Sequence, residues 1–282
     1  MARCDVCFRH CEIEENRLGF CGARTCKNGA VVADNYGHIS SLALDPIEKK
    51  PLRRFHPGAN ILSVGSYGCN LRCPFCQNYS ISWSEHAMNY KGKTKYFSPD
   101  DLVQAALSCR DLGNIGLAFT YNEPLIGYEY VRDTAIMAHD AGLVAVLVTN
   151  GTAELSVLKE ILPHIDAMNI DCKSFPPAFY ETLCKGNLNM VKAFIETAAA
   201  HCHVELTTLI IPGENDSEEE IREITNWIAS LNNGNGREIP YHISRFFPRF
   251  RVTDRRATDV SLIYQLTGIA RESLKYVYTG NC

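Results

Sequence analysis

The 282-residue chain has room for two domains at about 150 residues each, or for a single α/β barrel. Lys and Arg number 28 against 32 Asp and Glu, a formal net charge of -4, so there is no global basic field to gather nucleic acid or anionic lipid. A hydrophobic share of 46% with 21% charged residues excludes a disordered, collagenous or coiled-coil chain.

The chain starts MARCDVCFRHCEIEENR, which lacks the apolar stretch of a signal peptide. Its longest apolar runs, such as 142–148, fall far short of the roughly 18 residues of a membrane span. The 13 cysteines, being odd in number, cannot all pair within one chain. These features predict a cytoplasmic protein with no membrane or nucleic-acid partner, in which close-set cysteines serve a metal or catalysis. Cys4-x2-Cys7-x3-Cys11-x9-Cys21 supplies four thiols near the terminus, with Cys26 and His10 in reserve. The spacing admits a closed structural zinc site and an auxiliary iron–sulfur cluster alike. Either would make residues 1–58 a small cysteine-rich lobe that folds around its metal.

Residues 27–58 are polar and turn-rich, and VVADNYGHISSLAL predicts a hairpin. DPIEKKPLRRFHP then concentrates Lys49, Lys50, Arg53 and Arg54, with Lys27 and His56 as lesser contributors. Such a run reads as a solvated face, or as a docking surface for an acidic partner or phosphate.

From residue 59 onward short apolar runs alternate with amphipathic stretches, the pattern of βα units on a parallel sheet. Six strands are predicted: NILSVGS (60–66), IGLAFTY (115–121), VAVLVTN (144–150), AMNIDCK (167–173), VELTTLII (204–211) and EIPYHIS (238–244). Ser98-Pro99 and Ser217 with Glu220 carry helix-start signals, and further helices are expected over 128–141, 154–162, 190–201 and 260–274. Six such units wind into an open sheet or curl into part of a barrel. In either case the loops after the strands' C-terminal ends build the site. Polar clusters occupy those ends: the cysteines after the first strand, Thr120 to Pro124 after the second, Thr149-Asn150-Gly151 after the third. Asp171 and Lys173 end the fourth, Pro212-Gly213 follows the fifth, and His242 with Arg245 ends the sixth.

GCNLRCPFCQN places Cys69, Cys73 and Cys76 as C-x3-C-x2-C in the loop after the first strand. Three thiolates within eight residues can grip three irons of a [4Fe-4S] cube and leave the fourth open to a small molecule, whereas structural zinc prefers four ligands. The alternative is part of a zinc site completed from elsewhere. Cys109, Cys172, Cys184, Cys202 and Cys282 are scattered and read as small structural hydrophobes, with Cys282 exposed at the terminus.

This cysteine motif resembles the signature of the radical S-adenosylmethionine (SAM) superfamily. AFTYNEP, LVTNG, NIDCKSF, TLIIPGEND and PYHISRFFP are similar to its pyruvate formate-lyase-activating-enzyme branch. The N-terminal CxxCxxxC, DPIEKKPLRRF, FHPGAN, CQNYSIS and LKYVYTGN resemble, more narrowly, the AmmeMemoRadiSam system radical SAM enzymes. The resemblance implies a partial (β/α)6 TIM-type barrel over 59–282 behind the N-terminal lobe. It implies a [4Fe-4S] cluster on Cys69, Cys73 and Cys76, and SAM on the open iron, held by Asn122, Glu123, Asp171 and Lys173. His242 would be a ribose or adenine contact, and Asn150 a further lining residue. The reaction so implied is reductive cleavage of SAM to a 5′-deoxyadenosyl radical that takes hydrogen from a small-molecule or protein substrate. It draws on a one-electron donor such as flavodoxin or ferredoxin. An activase installing a glycyl radical on a partner enzyme is the alternative within this class. Outside it stands a non-catalytic iron–sulfur electron carrier or binding module, which would leave the strand-end polar sets idle. No hydrogen-donating catalytic residue stands out among the 13 cysteines and 13 tyrosines.

Overall fold

The computed structural model describes residues 1–84 and 87–282. Its main sheet has eight strands: β1 (Ser41–Pro46), β2 (Asn60–Gly65), β3 (Asn114–Phe119), β4 (Val144–Thr149), β5 (Ala167–Asp171), β6 (His203–Ile210), β7 (Tyr241–Arg245) and β8 (Val277–Gly280). β2 through β7 are the six apolar runs, buried along nearly their whole length because helices cover one side and barrel contents fill the other. They lie in sequential order, all parallel from β2 to β8, with β1 added antiparallel to β2. Among the described residues β1 and β8 do not pair, so the sheet forms a partial barrel.

Six helices cross between the parallel strands: α1 (Pro99–Ser108), α2 (Tyr128–Asp140), α3 (Leu155–Ile161), α4 (Leu188–Ala199), α5 (Glu218–Gly234) and α6 (Val260–Ser273). Ser98 and Asp101 close a full capping box at α1, with Pro99 at its first position. At α5 only half of the expected box forms. Ser217 Oγ accepts from Glu220 N, but the Glu220 carboxylate accepts instead from Ser174 Oγ at 2.6 Å and Phe175 N at 2.9 Å, tying α5 to the loop after β5. α4 shows how the helices hold on: Leu188, Val191, Phe194, Ile195 and Ala198 recur at helical spacing and are all buried.

The segment expected to be one hairpin splits between two partners. Ala30–Ala33 folds back on Arg24–Lys27 through Asn28 and Gly29, both at positive φ as a tight turn requires, while Ser41–Pro46 joins the main sheet as β1. Most of the basic run is the solvated face it reads as, with Lys49, Arg53, Arg54 and His56 exposed, but its backbone is also an anchor. It folds back towards the sheet: Ile47 and Leu52 are fully buried, and buried Lys50 pairs with Asp45 at 3.0 Å. Arg53 and Arg54 give their backbone N–H groups to the Glu205 carboxylate, at 2.9 and 2.7 Å. The charge is therefore partly internal, and the contact is carried by backbone that a count of basic side chains does not register.

No helix among the described residues is long and apolar enough to cross a membrane. All 13 cysteines are free thiols.

Candidate functional site

A cavity of about 300 Å3 opens at the C-terminal ends of the strands. It is lined from the loop after β2 round to Ser244 of β7 and Asn281 after β8. Cys69, Cys73, Cys76, Asn122, Glu123, Asn150, Asp171 and Lys173 all line it, so eight positions from four separate loops meet in one space. Its volume is at the lower end of the range for small-molecule sites.

The cysteine loop is held from several sides. Gly68 sits at φ +90°, where a Cβ would lie 2.7 Å from Ala23 Cβ and from Cys21 O, so only glycine fits. Cys69 N donates to Cys21 O at 3.1 Å, and Cys76 N closes a turn on Cys73 O at 3.2 Å. The Arg72 guanidinium curls back to donate to Cys69 O and Leu71 O, and Trp83 Nε1 donates to Cys73 O. Leu71 N points at Cys69 Sγ at 3.4 Å. Burial raises the Cys69 thiol well above its usual value and Cys76 to about 11. Cys73 is raised first by contact with Cys184 and then by burial, so Cys184, which read as merely structural, lies against the motif. Thiols in this state release protons on binding a metal.

Three polar side chains that line the cavity are also clamps. Asn122 accepts from Ser66 N and donates to Gly68 O, joining the cysteine loop to the end of β3. Asn150 donates to Asn70 Oδ1 at 3.0 Å and towards Cys69 Sγ at 3.7 Å, and accepts from Thr152 N and Oγ1. The Glu123 carboxylate accepts from Thr149 Oγ1 at 2.7 Å, Asn150 N at 2.8 Å and Leu125 N at 3.0 Å. Burial pushes this carboxyl up to about 7, against the pull of those donors, so it is poised to meet a cation or to hold a proton near neutrality. Across the cavity Lys173 Nζ sits 2.6 Å from Asp171 Oδ2. Burial alone would lower this ammonium, but the adjacent Asp171 carboxylate outweighs it and keeps it charged. One wall thus offers sulfur, another a carboxylate, and a third a cation beside a carboxylate.

His242 is the exception. It stands level with cavity-lining Thr207 on the neighbouring strand, yet is not itself among the lining residues: it is buried with Nε2 2.6 Å from Glu205 Oε2 and its ring stacked on Tyr278. The residue expected as a ribose or adenine contact is thus one that the structure engages with Glu205 and does not bring to the cavity wall. Sequence reasoning gave no individual role to several lining residues, Tyr121 of the 120–124 cluster among them. Tyr121, at φ +72°, packs against Gly65 and gives its hydroxyl to Asp45. Thr207, Ser244 and Asn281 line the cavity as well. The polar YTGN after an apolar Val277 marks Asn281 as another strand-end residue, once β8 is counted as a strand.

Among the described residues no three His, Cys, Asp or Glu side chains are gathered as one metal ion requires. Cys69, Cys73 and Cys76 all line the cavity, a set of three thiols that fits an iron–sulfur cube with one iron left to a ligand other than protein.

A family model described as the Radical SAM superfamily matches residues 63–226. An uncharacterized protein of Methanocaldococcus jannaschii is 39% identical over 284 residues, covering 99% of this chain and 81% of that protein. The pyruvate formate-lyase-activating enzyme of Clostridium pasteurianum is 27% identical over 180 residues, 62% of this chain and 72% of that enzyme. Among solved structures, Streptococcus suis SuiB bound to S-adenosylmethionine aligns with a TM-score of 0.58 at 13% identity, covering 77% of this chain and 48% of that one.

Proposed function

The chain belongs to the radical SAM superfamily, whose members use a [4Fe-4S] cluster and SAM, and from that premise we propose that this cavity binds both and cleaves SAM reductively. The observation that carries the reading is the meeting of three thiols with Glu123 and the Asp171–Lys173 pair in one cavity. Cys69, Cys73 and Cys76 would hold the cluster. When bound, it supplies the electron that splits the SAM sulfonium into methionine and a 5′-deoxyadenosyl radical, which takes hydrogen from the substrate. Glu123 offers a carboxylate to an ammonium, and its raised proton affinity is relieved when a cation arrives. Lys173 offers a charge-assisted donor to the SAM carboxylate, and Asp171 an acceptor to ribose hydroxyls. Asn122 and Asn150 fix the walls, and apolar Leu71, Phe75, Val148 and Leu209 limit water around a reactive radical.

Lys173→Ala tests the anion-binding role. The cluster chromophore is expected to persist while SAM binding to the cluster-loaded protein weakens about 10- to 100-fold, the worth of one charge-assisted hydrogen bond. Equilibrium dialysis reads this directly, and unchanged affinity refutes the role.

The electron must come from a one-electron carrier such as a flavodoxin or ferredoxin. An open groove of about 510 Å3 lies beside the cysteine loop, lined by Arg9, Arg72, Lys185 and Arg251 around Phe20 and Trp83. Its single sign of charge suits an acidic carrier, and turnover driven by such a carrier should fall steeply with salt while dithionite-driven turnover does not. Similarity to the Clostridium pasteurianum enzyme favours, as a second reading, a glycyl-radical activase. That reading is tested by a glycyl-radical EPR signal appearing on a partner enzyme.

A further inference from the structure

Four of the N-terminal cysteines converge. Cys4, Cys7, Cys11 and Cys21 line one small cavity of about 10 Å3, between Arg9 and Arg24 and closed by Val6, Ile13 and Ile126. Cys4 and Cys11 face each other across a knuckle in which Cys4 N donates to Cys11 O at 2.9 Å and His10 N to Cys7 O at 3.1 Å, with His10 at φ +40°. Cys21 is brought in by a turn in which Gly22 N donates to Gly19 O. The reserve ligands are elsewhere: Cys26 donates to Glu15, and the His10 ring lies 3.3 Å from Asp5 and from Glu154.

Four thiols facing one space, closed otherwise by Val6, Ile13, Gly19 and Ile126, form a complete ligand set for one metal centre, with Arg9 and Arg24 beside it to offset its negative charge. Its position against the Cys69 loop gives a redox-active cluster an electron acceptor within reach, a use that a structural zinc ion would not have.

We infer that Cys4, Cys7, Cys11 and Cys21 ligate a second iron–sulfur cluster, joined to the Cys69 site for electron exchange. Two short connections link them. Cys21 O accepts from Cys69 N at 3.1 Å. The Cys7 thiol lies against the Asn70 amide, whose Oδ1 accepts from Asn150 Nδ2, which in turn reaches Cys69 Sγ. In an exchange the N-terminal cluster is oxidised by one electron and the Cys69-bound cluster reduced by one, with no bond made or broken. A low-potential one-electron carrier protein restores the first. The exchange, though not the N-terminal site itself, rests on the assignment of Cys69, Cys73 and Cys76 above.

The test uses the full chain carrying Cys69→Ala, Cys73→Ala and Cys76→Ala together, reconstituted anaerobically with iron and sulfide. It should retain about four iron and about four sulfide per chain, with a reduced-cluster EPR signal after dithionite. Stoichiometric zinc, or a folded chain without metal, overturns the inference. Should that variant not fold, the wild-type chain decides: about eight iron per chain supports the second cluster and about four overturns it. In the fully reduced wild type the two EPR signals should broaden each other. Two sharp independent signals overturn the exchange.

Discussion

Cys73→Ala is expected to bleach the cluster chromophore and to lower SAM cleavage by more than about 100-fold. The other two thiols would have to hold the cube alone, and loss of a contact one shell further out already costs about 10- to 100-fold at metal centres. Cys73 is buried, and its carbonyl takes up Cys76 N and Trp83 Nε1, so the backbone of the loop should survive the change. Cys184→Ala is the matched control. Its thiol touches Cys73 but does not line the cavity, so cluster content should be close to wild type. Normal turnover by Cys73→Ala would refute the ligand assignment.

Glu205→Gln should lower stability by about 3–5 kcal/mol without touching the cavity. The fully buried carboxylate has four partners for about four lone-pair directions: Arg53 N, Arg54 N, His203 Nε2 at 3.0 Å and His242 Nε2 at 2.6 Å. Breaking a buried charge network from one side costs about that much, or roughly 6–10 °C in Tm for a chain of this size. A shift under about 1 °C contradicts the role. Burial opposes the ionised form, but the two histidines and the Arg53 N–H outweigh it and hold the carboxyl near about 2. Folded and unfolded chains therefore differ in proton uptake between the ordinary carboxylate value and about 2. The stabilisation is fully present above about pH 4.5 and is lost as pH falls towards 2, an effect of about 3 kcal/mol. Unfolding midpoints across this window should fall for the wild type and less steeply for Glu205→Gln.

The barrel strands were legible because a strand buried on both faces must be apolar throughout, and six such runs separated by helix patterns leave few topologies. Strand-end residues were legible for the same reason: polar Asn122, Glu123, Asn150, Asp171 and Lys173 at the ends of apolar runs have nowhere to go but the open face. His242 stands apart for a reason of pairing: its register neighbour Thr207 reaches the cavity wall, but the His242 imidazole is drawn to the buried Glu205 carboxylate, a partner no sequence spacing reveals. DPIEKKPLRRFHP was legible as a solvated face but not as an anchor, because its tie to Glu205 is made by two backbone N–H groups, which no sequence pattern records. Asn70 and Thr152 were invisible for a related reason. Their roles arise only when Asn150 is brought beside them by folding.

The central claim, that this chain generates a radical from SAM, is tested most directly by product. The wild-type protein, reconstituted anaerobically with iron and sulfide and given SAM and dithionite, should form 5′-deoxyadenosine and methionine in equal amounts. An intact cluster that yields no 5′-deoxyadenosine would contradict the account.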